Sequence, residues 1–180
     1  MDREFLKGLL QSASKTGEFT LASGKKSDWY LDCRPAMANY EGLRAATDDL
    51  VNLSQELGLP ALGGPATAAV AIMAGAMMSD DEAPDRFVYT RSSAKDHGTG
   101  QTVEGANLGK SPRVLLVDDV LTSGGSLLKS AAAIKEVYPN VEIVGAWVLV
   151  DREQGGRENL QEHGIKTHAM FTRSEILAKE

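Results

Sequence analysis

Two adjacent carboxylates, Asp118 and Asp119, end the apolar run Val114-Leu115-Leu116-Val117 and stand just before Thr122-Ser123-Gly124-Gly125-Ser126. Such a run has the character of a strand buried on both faces of a parallel sheet, and ligands in those sheets lie beyond the carboxyl ends of the strands. Neighbouring acids repel, so the pair predicts a cation or a set of hydroxyls between them. The small residues that follow let successive backbone N–H groups turn inward, and a helical pattern over 127–137 puts a helix start behind them. Together they make an anion cradle suited to a phosphate. The blander alternative is a strand end followed by Thr122 or Ser123 as a helix cap.

Cations are placed at three other points. Arg91, Lys95 and His97 lie in the stretch 91–105, glycine-rich, charged and without apolar periodicity, which is long for a loop inside a compact domain and is otherwise a solvated loop. Lys25 and Lys26 occupy the turn Gly24-Lys25-Lys26-Ser27, where they either solvate a hairpin tip or face a ligand. Arg152 follows the apolar run 141–150 and either caps the sheet or reaches the site at its edge. Gly63-Gly64-Pro65-Ala66-Thr67 suits a strand-to-helix turn, as a plain connection or an anion site. The stretch 105–111 resembles a nucleotide P-loop but is one residue short between its glycines, and Pro112 with a strand follows where a helix should start. His163 and His168 suggest neither metal nor acid–base work and are expected to be surface or satisfied residues.

The elements that must position these groups follow from periodicity. Asp2 as a cap, with Phe5, Leu6, Leu9, Leu10 and Ala13, predicts an amphipathic helix ended by Gly17. Phe19 and Leu21, then Trp29, Leu31 and Cys33, alternate with polar residues around the lysine turn and predict a hairpin over 19–34. Tyr40, Leu43, Ala46, Leu50, Val51 and Leu57 mark a second helix, stopped by Gly58 and Pro60. A strand at 61–62, an apolar helix to Met78, a strand at 87–89, the central strand with its helix, a strand at 141–150, a helix and an edge strand at 167–171 complete an α/β alternation. Thr172-Arg173-Ser174-Glu175 predicts a capping box on a last helix.

At 180 residues, 42% hydrophobic and 24% charged, the chain suits one globular domain with a continuous core. A net charge of -6 speaks against a general nucleic-acid or membrane-surface binder. Cys33 is the single cysteine, which leaves no internal disulfide and no cysteine metal cluster. The charged start Met1-Asp2-Arg3-Glu4 lacks the apolar run of a signal peptide, and no stretch suits a bilayer span, so a cytoplasmic location is expected.

Strand, acid pair, small-residue loop and helix together resemble the 5-phosphoribosyl-1-pyrophosphate (PRPP) binding signature of the type I phosphoribosyltransferases. Phe19-Thr20-Leu21-Ala22-Ser23-Gly24-Lys25-Lys26-Ser27, followed by an aromatic strand, resembles the F-x-L-x-S-G-x-x-S segment of the orotate phosphoribosyltransferases. Arg91-Ser92-Ser93-Ala94-Lys95-Asp96-His97-Gly98 is similar to their lid core, R-K-x-x-K-x-H-G, and Asp151-Arg152-Glu153-Gln154-Gly155-Gly156 stands where they carry D-R-x-E-x-G. The resemblance implies the type I phosphoribosyltransferase fold: a mostly parallel central sheet flanked by helices, a mobile catalytic lid, and a hood from residues 1–38 and the C-terminal segment, all in one domain over 1–180. It implies transfer of the phosphoribosyl group from PRPP to orotate, with orotidine 5′-monophosphate and pyrophosphate as products, in pyrimidine biosynthesis.

In that resemblance Asp118 and Asp119 would bind the ribose hydroxyls, with Mg2+ nearby held mainly by PRPP oxygens and water. Val120, Leu121, Thr122, Ser123, Gly124, Gly125 and Ser126 would form the PRPP phosphate loop. Arg91, Lys95 and His97 would close over the pyrophosphate, Lys95 and His97 as catalytic groups, from the neighbouring subunit of a homodimer. Lys26, Thr122 and Arg152 would meet orotate. Two positions depart from the family: Ser92 replaces a lid lysine, and Ala68 stands where some branches place a lysine in the pyrophosphate turn. Two other functions share the fold. A phosphoribosyltransferase for another base is opposed by the hairpin and the arginine block, and a non-catalytic PRPP-sensing regulator of transcription would need a basic surface that the net charge does not suggest.

Overall fold

Leu6 and Leu10, one helical turn apart, are fully buried and seat the first helix, α1 (Arg3–Ala13), on the rest of the chain. The computed structural model describes residues 3–20, 26–79, 82–91, 102–110 and 112–178. From α1 the chain passes directly into β1 (Ser14–Thr20), which pairs antiparallel with β2 (Lys26–Leu31). Gly17 therefore does not end the helix. Ser14 Oγ bonds the Gln11 carbonyl at 2.8 Å and closes it, while Gly17 lies where the β1–β2 register shifts between Thr16 and Phe19. The hairpin also stops short of Arg34, because Pro35 favours the first turn of a short helix, α2 (Arg34–Met37).

Next come α3 (Tyr40–Glu56), β3 (Ala61–Pro65), α4 (Ala68–Met77), β4 (Phe87–Thr90), β5 (Val103–Gly105), β6 (Arg113–Leu121), α5 (Gly125–Val137), β7 (Glu142–Asp151), α6 (Gly156–Glu162), β8 (Thr167–Thr172) and α7 (Arg173–Leu177). Six strands form one sheet in the order β5-β4-β3-β6-β7-β8. All neighbours are parallel except β4 and β5. The end of the 91–105 stretch, expected as loop, is thus the edge strand β5, only three residues long. Thr172 and Glu175 make the expected reciprocal cap at the start of α7.

Strand alternation divides the core into two layers. Leu115 and Val117 of β6 pack with Leu50, Ile72 and Met73 of α3 and α4. Val114 and Leu116 pack on the other face with Leu127, Ala131 and Ile134 of α5. Gly63 and Gly64 fall inside β3, not in the turn after it. A Cβ on Gly63 would lie 2.9 Å from both Ile134 Cδ1 and Val114 Cγ1, and one on Gly64 would strike the Val117 carbonyl. These glycines let β3 approach its neighbours closely, which removes them from the anion turn.

Helix α3 is tied to the sheet by a polar junction. Asp49 Oδ2 accepts from Trp147 Nε1 at 2.6 Å and from His168 Nε2 at 3.0 Å, so His168 is a satisfied residue with a specific partner. The hydrogen bond to Asp49 raises the His168 pKa above its ordinary value, against the opposing effect of burial. A raised folded pKa contributes stability that is complete below the unfolded value of about 6.5 and is lost as pH rises through the folded value. The thermal-midpoint gap between the native chain and His168→Ala should therefore be widest in mildly acidic buffer and narrow in alkaline buffer. A gap that is constant with pH would contradict the ion pair.

Candidate active site

Strand β6 continues through the acids to Leu121, so Asp118 and Asp119 lie within the strand and not beyond it. Alternation then sends them to different hollows. Asp118, 8% exposed, edges a small cavity with Val120, Leu121, Thr122, Ser123, Gly124, Gly125, Ser126 and Leu127. Asp119 lines a cleft with Tyr30, Asp32, Cys33, Arg34, Thr67 and Ala68. Although they edge different hollows, the two carboxyl groups stay close enough to interact with each other. Burial, and then the neighbouring Asp119 charge, push the Asp118 carboxyl well above the ordinary carboxylate range, while the Asp119 N–H donates to Asp118 Oδ1 at 2.9 Å.

The cradle is built by the turn from β6 into α5. Gly124, at φ 78°, is the N-cap of α5 and supplies no side-chain cap, so neither Thr122 nor Ser123 caps the helix. The first N–H groups of α5 are left to point into the cavity with the positive end of the helix dipole. Its volume is about 60 Å³, several times the ~10–15 Å³ that a single water needs. Leu121 is buried in the core and contributes through its backbone, its carbonyl accepting from Arg152 N at 2.9 Å. Two further residues brace the cradle from behind. Asn159 Nδ2 donates to the Ser123 carbonyl at 2.6 Å, and Gly156 abuts the Thr122 carbonyl with no room for a side chain. Gly156 was visible as the last glycine of the arginine block, whereas nothing in the sequence marks Asn159.

Arg152 follows β7 and is 5% exposed. Instead of capping the sheet it reaches the hairpin, donating from Nη2 to the Trp29 carbonyl at 2.6 Å, with its guanidinium carbon 5.4 Å from the centre of the Trp29 ring. Arg173 stands 5.7 Å from the same ring and grips the Asp28 carboxylate at 2.8 and 2.9 Å. Both distances are in the range of cation–π attraction. Burial and then the Arg173 charge lower the Arg152 pKa, yet a guanidinium stays charged. Lys26 opens β2 opposite Thr20 and is exposed.

The cleft holding Asp119 has a volume of about 330 Å³, at the small end of ligand pockets. Cys33 is fully buried beside it. Burial, with the Asp119 and Asp32 charges, raises the thiol pKa well above its ordinary value, which makes it a poor nucleophile. Arg91 lies just past β4, where its N–H donates to the Thr102 carbonyl at 3.0 Å and its Nη1 to Glu104 Oε1 at 3.4 Å. Lys25, Ser92, Lys95 and His97 lie outside the described residues. Among the described residues no three His, Cys, Asp or Glu side chains converge on a metal-sized point. His163 is satisfied by the Asn159 carbonyl at 2.8 Å.

The phosphoribosyl transferase domain matches residues 57–165, from the approach to β3 to the end of α6. The chain is 35% identical over 179 residues to the orotate phosphoribosyltransferase of Pyrococcus abyssi, which covers 98% of this chain and 95% of that one. Among solved structures, the orotate phosphoribosyltransferase of Mycobacterium tuberculosis in complex with Fe(III) dicitrate superposes with a TM-score of 0.83 at 27% identity, over 99% of this chain and 100% of the other. That of Aeropyrum pernix gives 0.76 at 30% identity, over 98% and 96%.

Proposed function

The chain belongs to the orotate phosphoribosyltransferase family, and on that premise we propose that it transfers the 5-phosphoribosyl group of PRPP to orotate, forming orotidine 5′-monophosphate and pyrophosphate in cytoplasmic UMP biosynthesis. Orotate N1 gives up its proton to solvent or the departing pyrophosphate and bonds to the anomeric carbon as the bond from that carbon to pyrophosphate breaks, the electron pair leaving on pyrophosphate. The sugar becomes oxocarbenium-like, so the protein must hold the base in line and neutralise the leaving group. The observation that carries this is the uncapped start of α5 over a small cavity roomier than one water, with Asp118 on its edge.

In this reading the loop from Val120 to Ser126 holds the 5′-phosphate through backbone N–H and hydroxyl donors. Asp118 and Asp119 hold the ribose between the two hollows. Lys26, Thr122 and Arg152 meet orotate, and the Trp29 contacts keep Arg152 aimed along the base end. Residues 1–38 and the C-terminal segment form a hood, supported by Arg3 Nη2 to the Met170 carbonyl at 2.8 Å and Gln11 Nε2 to the Ile176 carbonyl at 3.1 Å. Mg2+ would sit beside Asp119, ligated mainly by PRPP oxygens and water, because the acids here are too few for a cage of their own. When bound it offsets the charge that gathers on pyrophosphate.

The active unit in this proposal is a homodimer, with Arg91, Lys95 and His97 closing over the neighbour's pyrophosphate. Support comes from α4, which has no charged residue. Val70, Ala71, Ala74 and Met77 at helical spacing, with Met78 just after them, give it an apolar outer face that is half-buried or exposed. Met78 alone is 86% exposed.

The test is Mg2+-dependent loss of orotate absorbance with PRPP, with uracil, adenine and hypoxanthine as competitors. Orotate alone should be consumed; consumption of a purine would replace the assignment. Mixing inactive Lys95→Ala and Asp119→Asn subunits should restore part of the activity, and no recovery in verified hybrids would mean that each subunit works alone.

A further inference from the structure

Pyrophosphate carries several negative charges, and the turn before α4 offers no side-chain cation toward it, only Thr67 and Ala68. Arg34 lines the same cleft as these two residues and Asp119. Its side chain is 71% exposed at the rim, and Asp119 is near enough to act on its charge. One carboxylate orients it: Nε donates to Asp32 Oδ1 at 2.8 Å, Nη2 to Asp32 Oδ2 at 2.9 Å, and the Arg34 N–H to Asp32 Oδ1 at 3.0 Å. That fork uses the Nε–Nη2 edge. Among the described residues no hydrogen bond engages Nη1.

Stability gives little reason for this arrangement. Exposed ion pairs contribute little, and this one joins residues two apart in sequence, so it links no distant elements. A fork locked on one side with donors left over is the form in which arginine recognises a second anion. We propose that Arg34 binds the pyrophosphate group of PRPP across the cleft from Ala68 and supplies the cation that the turn lacks. The proposal rests on the phosphoribosyl-transfer reading and adds to it a binding residue on the leaving-group side.

The experiment compares the native chain with Arg34→Ala, Arg34→Lys and the double variant Arg34→Ala with Ala68→Lys, each checked for its thermal midpoint. Calorimetric binding of PRPP and of pyrophosphate, without any base, comes first. Arg34→Ala should weaken both by about tenfold, the scale of one charge-assisted contact. Lysine at position 34, a point charge without the fork, should recover part of the loss, and Ala68→Lys in the alanine background should recover more. In steady state the Michaelis constants for PRPP, and for pyrophosphate in the reverse direction, should rise while that for orotate stays put. Unchanged PRPP and pyrophosphate binding would overturn the proposal. So would a joint loss for PRPP and orotate that follows a lowered midpoint and is not rescued at position 68. If the native chain binds PRPP but ignores orotate, the base assignment fails and Arg34 is still decided by the binding data; if it binds no PRPP, both fall.

Discussion

Replacing Asp118 and Asp119 together by asparagine should reduce turnover by at least about a hundredfold while the thermal midpoint holds or rises. In the proposed reading each carboxylate removed forfeits a charge-assisted hydrogen bond to a ribose hydroxyl, about 1.5–3 kcal/mol apiece, and each 1.4 kcal/mol is tenfold in rate. The stability side follows from Asp118. Burial raises its folded pKa, so the stability linked to its protonated form is complete below the unfolded value and is lost as pH rises from there through the folded value. Asparagine is neutral at every pH and escapes the loss. The midpoint difference between variant and native chain should accordingly grow in favour of the variant from acid to neutral pH. Turnover within a few-fold of native would remove both acids from the site, and a large drop in midpoint would show that their charges support the fold.

What could be read in the sequence was what local chemistry determines. Val114 to Val117 announced a doubly buried strand because both its faces meet helices, and the small residues after it announced a tight strand-to-helix turn, made at Gly124. The Thr172 capping box was legible for the same reason. What escaped depended on partners distant in sequence. Gly63 and Gly64 look like a turn, yet their smallness serves the approach of Ile134 and Val117. Arg34 sits in the hairpin block without a role until α2 and the turn before α4 are brought to one cleft. Asp49, Trp147 and His168 come from three separate elements, and no spacing rule joins them.

Gly156→Ala should damage the cradle without touching a ligand-facing side chain. An added Cβ would lie 2.6 Å from the Thr122 carbonyl oxygen and 2.7 and 2.8 Å from Leu121 Cγ and Cδ1. Leu121 is 1% exposed and has nowhere to retreat, so the backbone at Thr122 must move. Overpacking of this kind costs about 1–3 kcal/mol, against which the better helix propensity of alanine returns at most about 1 kcal/mol. For a chain of this size a net loss near 1–2 kcal/mol lowers the midpoint by roughly 2–8 °C. Binding should suffer more, because displacing Thr122 misaligns several phosphate donors at once, and PRPP affinity should fall by about ten- to a hundredfold. Asn159→Ala is the milder companion, since it removes only the 2.6 Å bond to the Ser123 carbonyl and leaves the Thr122 backbone in place. Calorimetry with PRPP beside thermal melts separates the outcomes: a lowered midpoint with native PRPP affinity would place the phosphate elsewhere, and no change in either would mean that the contact between α6 and the cradle is looser than these distances require.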